Sequence, residues 1–83
     1  MSEIYPNTSE TAGSATVPVE LTLREVEVLN LVGGDGLSSK EVADELGISK
    51  RTVDFHLGNI YDKLQVPNRV KAFKKAGKLG LLD

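Results

Sequence analysis

Apolar and polar positions along this 83-residue chain fall into two regimes. Residues 1–20 show neither a helical nor an alternating period; they are rich in Ser, Thr, Glu and small residues and are interrupted by Pro6 and Pro18. Such a composition cannot bury enough apolar surface to offset the entropy of ordering. The pattern therefore predicts a disordered N-terminal tail over 1–20 and a folded domain over 21–83. From Leu21 onward apolar residues recur at helical spacing, and each run opens on capping chemistry. "LTLREV" sets Thr22 as an N-cap with Glu25 three residues on, and Leu21 positioned to staple against Val26. "LSSKEV" repeats the device with Ser38, Glu41, Leu37 and Val42. "ISKRTV" gives Ser49 with Ile48 against Val53, but Thr52 stands where the acid would be, so only half a capping box remains. A fourth start has Asn68 as N-cap after Pro67, and Gly80 follows a helix that ends near Leu79. The expected fold is all-α, with four helices.

The connections differ in kind. "GGDG" at 33–36 reads as a flexible break between helices one and two, whereas "LGIS" at 46–49 joins helices two and three within a very short span. Gly47 is placed to end one helix and Ser49 to cap the next. Two helices joined by so short a glycine-containing turn match a helix-turn-helix, whose second member lies in the DNA major groove, although an ordinary helical hairpin has the same outline. In the third helix, about 50–64, Val53, Leu57, Ile60 and Leu64 fall within roughly 60° of one another at about 100° per residue and define its buried stripe. Arg51, Phe55, Gly58 and Asp62 point the opposite way, with Asp54 and Asn59 beside them. Phe55 is thus expected to be exposed, and an exposed phenylalanine next to Arg51 suits contact with a thymine methyl group.

Charge changes the picture more than composition does. The formal net charge of −2 hides an acidic front and a basic back: residues 48–78 hold eight Lys and Arg against only Asp54 and Asp62. An anionic partner is compatible with such a local field whatever the total charge. There is no cysteine, and the lone His56 has no partner at metal-ligand spacing, so no metal or cofactor is expected and His56 reads as a packing or capping residue. No serine has a base at useful spacing and no glycine loop matches a phosphate cradle, so enzymatic chemistry and a small-molecule ligand are not expected. No apolar run is long enough to cross a bilayer, and the first residues lack the pattern of a secretion signal. A cytoplasmic protein without membrane partners is the expectation, and the "NTS" sequon at Asn7–Ser9 is discounted accordingly.

In order from residue 21 to 76, "LTLREVEVLNLV", "GLSSKEVADELGIS", "KRTVDFHLGNIYDKLQV" and "NRVKAFKKA" resemble the LuxR-type helix-turn-helix, also called the GerE or FixJ and NarL effector domain. The "GLSSKEVADELGISKRTV" portion is shared with the fourth region of sigma factors, but "TVDFHLGNIYDKL" followed by "NRVKA" is specific. The resemblance implies a bacterial DNA-binding regulator in which helix two supports, helix three enters the major groove of double-stranded DNA, and helix four pairs two subunits. It places base contacts at Asp54, Phe55 and Gly58, and DNA-backbone contacts at Lys50, Arg51, Thr52, Asn59 and Lys63. The chain departs from the pattern where several relatives carry lysine in place of Asp54 and Gly58, and in one extra residue within "GGDG", expected to alter only a surface turn.

Helix four supports a homodimer on its own spacing. Lys71, Lys74, Lys75 and Lys78 make one cationic face, while Val70, Ala72, Phe73, Ala76, Gly77 and Leu79 span an apolar arc wider than one core contact needs. Val70, Ala72, Phe73 and Ala76 are the expected subunit contacts, the alanines allowing close approach. The reading that results is a stand-alone transcriptional regulator acting as a homodimer. Its rivals are a detached effector domain of a larger response regulator, and a heterodimerising interaction module with weakened DNA binding.

Overall fold

The computed structural model describes residues 19–82, so the tail expected over 1–20 lies almost wholly outside the described residues. Val19 already packs against the core, two residues before the expected boundary. Four α-helices follow, with no strand among the described residues: α1 (Leu23–Leu29), α2 (Ser39–Leu46), α3 (Lys50–Leu64) and α4 (Arg69–Lys78). Each start is the one its capping residues dictate. The amide of Glu25 donates to Thr22 Oγ1 at 3.1 Å while Thr22 N–H donates to Glu25 Oε1 at 2.9 Å. Ser38 and Glu41 form the same reciprocal box. At Ser49 only the forward bond exists, from Thr52 N–H at 3.0 Å, and Asn68 accepts from Lys71 N–H at 2.9 Å. Each bond satisfies a helix-end donor that has no partner within its own helix.

The C-termini also share one solution. Gly47 takes a left-handed φ of 70°, which lets Ile48 N–H reach back to Ala43 O at 3.0 Å. The same reach-back closes α4 behind Gly80, through Leu81 N–H to Ala76 O. At the end of α3 the left-handed residue is Gln65, with φ 58°, the only described non-glycine residue of positive φ. Its side-chain amide donates to Asp62 O at 2.8 Å, a local compensation for a conformation that costs an L-residue about 1 kcal/mol or more.

The first join departs from expectation. "GGDG" is not simply a flexible break, because α1 runs on into a π turn, Asn30–Gly34, closed by Asp35 N–H to Asn30 O at 3.1 Å. A π turn holds one more residue than an α turn, so Gly33 and Gly34 belong to the widened helix end rather than to a free loop. The turn is also packed: a Cβ at Gly33 would lie 2.5 Å from two ring carbons of Phe73 and 2.6 Å from its Cβ. Glycine at 33 is what lets α4 close on the end of α1.

One core results. Val28, Leu29 and Val32 from α1 and its π turn meet Val42 and Ala43 of α2, the four predicted residues of α3, and Ala72 and Ala76 of α4. α3 lies against all three other helices. The alanines of α4 are fully buried in this single chain, which corrects the expectation that they lie open to a second subunit.

Gly33→Ala is expected to lower stability by about 1–3 kcal/mol, since the Phe73 ring and its Cβ cannot both retreat. Gly34→Ala, whose new methyl would meet only the far edge of that ring at 3.5 Å, is the control and should change stability much less. Thermal melts of the two variants, read against the unsubstituted chain, check the difference.

Candidate nucleic-acid interface

α3 presents two unlike faces because its core residues recur every three or four positions. Val53, Leu57, Ile60 and Leu64 are at most 4% exposed, and with them inward the helix turns Arg51, Asp54, Phe55, Gly58 and Asp62 to the surface. Phe55 is 65% exposed, and no neighbouring atom would meet a Cβ at Gly58. Gly58 therefore serves no packing need, although glycine in a helix interior costs about 1 kcal/mol relative to alanine. His56 is half-buried and meets the Phe55 ring edge-on at 6.1 Å between centroids.

The residues expected to contact a DNA backbone are not equally available. Arg51 is exposed and has no ion-pair partner among the described residues. Lys50 is exposed but donates to Asp54 Oδ2 at 2.8 Å. The Thr52 hydroxyl lies 2.9 Å from that of Ser49, within the local cap, and Asn59 is half-buried beside the exposed face. Lys63 is committed elsewhere: its ammonium donates to Glu25 Oε1 at 2.7 Å, the same oxygen that caps α1. This tether between helices 38 positions apart carries no local sequence signal.

Asp54, expected to read a base, has partners from more than its own helix. The Lys50 hydrogen bond first, then the Ser39 hydroxyl on the neighbouring helix, hold its carboxyl below the usual aspartate value, with the charges of Lys50 and Arg69 adding to them against slight burial. Ser39 is a buried polar residue at the start of α2, and Arg69 opens α4 while donating to Leu37 O at 3.1 Å. Neither was singled out from sequence; Ser39 merely follows a capping serine, and Arg69 reads as one more cation of a basic segment.

On α4, Val70 is 69% exposed and Gly77 is exposed with open space before it, while Phe73 between them is half-buried against the π turn. At i, i+3 and i+7 these three form an apolar edge of α4 that is open at Val70 and Gly77 and partly covered at Phe73. Lys75 is drawn to Leu64 O at 2.8 Å, where its charge complements the C-terminus of α3. Among the described residues no group of His, Asp or Glu could hold a metal ion, and no helix is long and apolar enough to cross a membrane.

The sequence model of the bacterial regulatory proteins of the luxR family matches residues 19–76. The transcriptional activator protein AnoR of Acinetobacter nosocomialis is 45% identical over 62 residues, which are 75% of this chain and 26% of AnoR. This chain thus spans about a quarter of that relative. Two solved structures share the fold at 38% identity: the transcription factor GerE, with a TM-score of 0.69 over 76% of this chain and 92% of GerE, and the response regulator ChrA of a heme-sensing two-component system, with a TM-score of 0.74 over 83% of this chain and 34% of ChrA.

The Glu25–Lys63 tether gives a pH signature. Burial by itself raises the Glu25 carboxyl, but the hydrogen bond from Lys63, the Thr22 amide and the Lys63 charge outweigh it, and the net position is below the ordinary 4.5. A carboxyl depressed on folding stabilises fully above its unfolded value and loses that contribution as the pH falls through its folded one. Glu25→Gln should therefore flatten the loss of stability that sets in below about pH 4.5. Lys63→Met should cost about 1–2 kcal/mol near neutral pH, less than a fully buried pair because the ammonium still reaches water. Denaturant melts of both variants from pH 3 to pH 7 check the two effects.

Proposed function

The chain belongs to the luxR family of bacterial regulatory proteins, and from that premise we propose that its helix-turn-helix domain is a sequence-specific DNA-binding transcriptional regulator with α3 in the major groove. The observation that carries this reading is the outward face of α3, where an exposed Phe55, an exposed Arg51 and an unpacked Gly58 stand opposite a fully buried stripe. A helix-interior glycine that no neighbour requires suits close approach of the α3 backbone to base edges. Phe55 beside it suits a thymine methyl, and Arg51 at the first turn suits a phosphate. The function is binding rather than chemistry, in the bacterial cytoplasm.

The same reading includes a homodimer through α4. Since Ala72 and Ala76 are occupied by the chain's own core, the proposed contact is the edge formed by Val70, Phe73 and Gly77. Two copies paired there would read half-sites about one helical turn, roughly 34–36 Å, apart. AnoR, GerE and ChrA are named as regulators or a transcription factor, which favours this reading over a module that has lost DNA binding.

Selection from random duplexes by the full chain should recover a partly palindromic motif; failure to retain any duplex at low salt would refute the reading. Gly58→Ala should stabilise the fold by up to about 1 kcal/mol yet weaken binding to the selected motif, so melting and binding move in opposite directions. Arg51→Ala should reduce binding to all duplexes and lower the salt slope by about 0.9, whereas Phe55→Ala should shift preference at one or two base pairs. For the dimer, sedimentation of Val70→Lys on the selected duplex should show one bound copy where the unsubstituted chain shows two.

A further inference from the structure

Asp54 is an odd residue to find on a face that meets phosphates, and its surroundings give it a role. Its carboxylate accepts from the Lys50 ammonium at 2.8 Å, and Ser39 and Arg69 add to the surroundings that favour its charged form. Two cations and a hydroxyl from three helices are the donor set a phosphate oxygen would attract. The two halves of the ion pair differ in mobility. Lys50 is a long side chain, 62% exposed, that can swing its ammonium away, whereas the Asp54 carboxylate sits one bond beyond its Cβ and stays close to the helix. The ammonium can leave; the carboxylate stays.

We propose that Asp54 is a built-in phosphate mimic that occupies Lys50 in the free protein and releases it to the DNA backbone only where a base-edge amino group takes over the carboxylate. The inference rests on the DNA-binding reading and adds to it a source of selectivity. On a duplex without a suitable base, two states are open. In one the pair stays closed, so Lys50 displaces no counterion and adds nothing to binding. In the other the pair opens and leaves an anion unpartnered next to phosphates. Where a cytosine presents its amino group, Asp54 accepts from it and Lys50 becomes free for a phosphate, so base contact and backbone contact arrive together. An exposed ion pair of this kind is weak by itself, which is what allows the exchange. The acid acts mainly by lowering affinity for wrong sequences, a repulsive element of specificity.

The test uses the full chain with two probes of equal length, a duplex carrying the motif recovered by selection and one of random sequence, titrated from 50 to 300 mM salt. Asp54→Asn keeps the shape and removes the charge. It should bind the random duplex roughly tenfold more tightly at low salt, with a slope steeper by about 0.9, while the ratio of specific to random affinity falls. In a Lys50→Ala background the same change should gain less than threefold, because there is no ammonium to release. An equal gain in both backgrounds overturns the mimic, since removal of charge alone would then explain it. So does a random-duplex affinity that Asp54→Asn leaves unchanged or lowers. Motif binding by the unsubstituted chain with an unaltered Asp54→Asn overturns the mimic alone. Absence of binding by the unsubstituted chain at low salt overturns it together with the DNA-binding reading.

Discussion

One helix has to serve three neighbours, and the rest of the molecule is arranged around that requirement. The described part of the chain is too short for a second core, and its buried apolar residues form one cluster with α3 against α1, α2 and α4. Val53, Leu57, Ile60 and Leu64 each withdraw a whole side chain from water, worth about 1.5–3 kcal/mol apiece, in a class of proteins whose net stability is only about 5–15 kcal/mol. Turning α3 by a single residue's angle would bring Asp54 or Thr52 toward that core and expose the stripe. The rotation of α3 is therefore set from inside, and the outward aim of Arg51, Phe55 and Gly58 follows from it. The outward face is fixed in direction because the hidden face leaves it no freedom.

Charged groups then fasten the helix ends that the core cannot hold. Glu25 Oε1 accepts from the Thr22 amide and the Lys63 ammonium, so one oxygen both starts α1 and ties it to the last turn of α3. Lys75 donates to Leu64 O and Arg69 to Leu37 O, each meeting a carbonyl at or near a helix boundary. Helix ends carry backbone groups without partners of their own helix, and in a domain with so little interior these are the places that need a donor from elsewhere.

What could be read from the chain beforehand was what depends on neighbours in sequence. The caps at Thr22, Ser38, Ser49 and Asn68, the left-handed Gly47 and Gly80, the stripe of α3 and the exposure of Phe55 all follow from spacings of a few residues, and the resemblance to LuxR-type domains rested on the same segments. What could not be read depends on a second element. Gly33 looks like part of a loop until Phe73, forty positions on, stands against it. Lys63 looks like a free cation until Glu25 is beside it. Ala72 and Ala76 fit a subunit contact as well as a core, because a small apolar residue on a helix does not say which surface covers it; burial in the single chain decides. Gln65 gave no sign of ending α3, since glutamine rarely takes positive φ and its bond to Asp62 O is visible only after the turn has formed.

The ion pairs also revise what the basic half of the chain can offer a partner. By formal charge, residues 48–78 are strongly cationic. Yet Lys50 faces Asp54, Lys63 faces Glu25, and the donors of Arg69 and Lys75 are engaged by carbonyls, which leaves Arg51, Lys71, Lys74 and Lys78 as the cations of that segment without such a partner among the described residues. The engaged cations are not alike. Lys63 is bound to a carboxylate that is 4% exposed and could leave only by abandoning a buried charge, whereas Lys50 is paired on the surface and can exchange partners at little cost. The cations of this half are accordingly of two kinds, Arg51 and the α4 lysines without a carboxylate partner among the described residues, and Lys50 in an exchangeable surface pair.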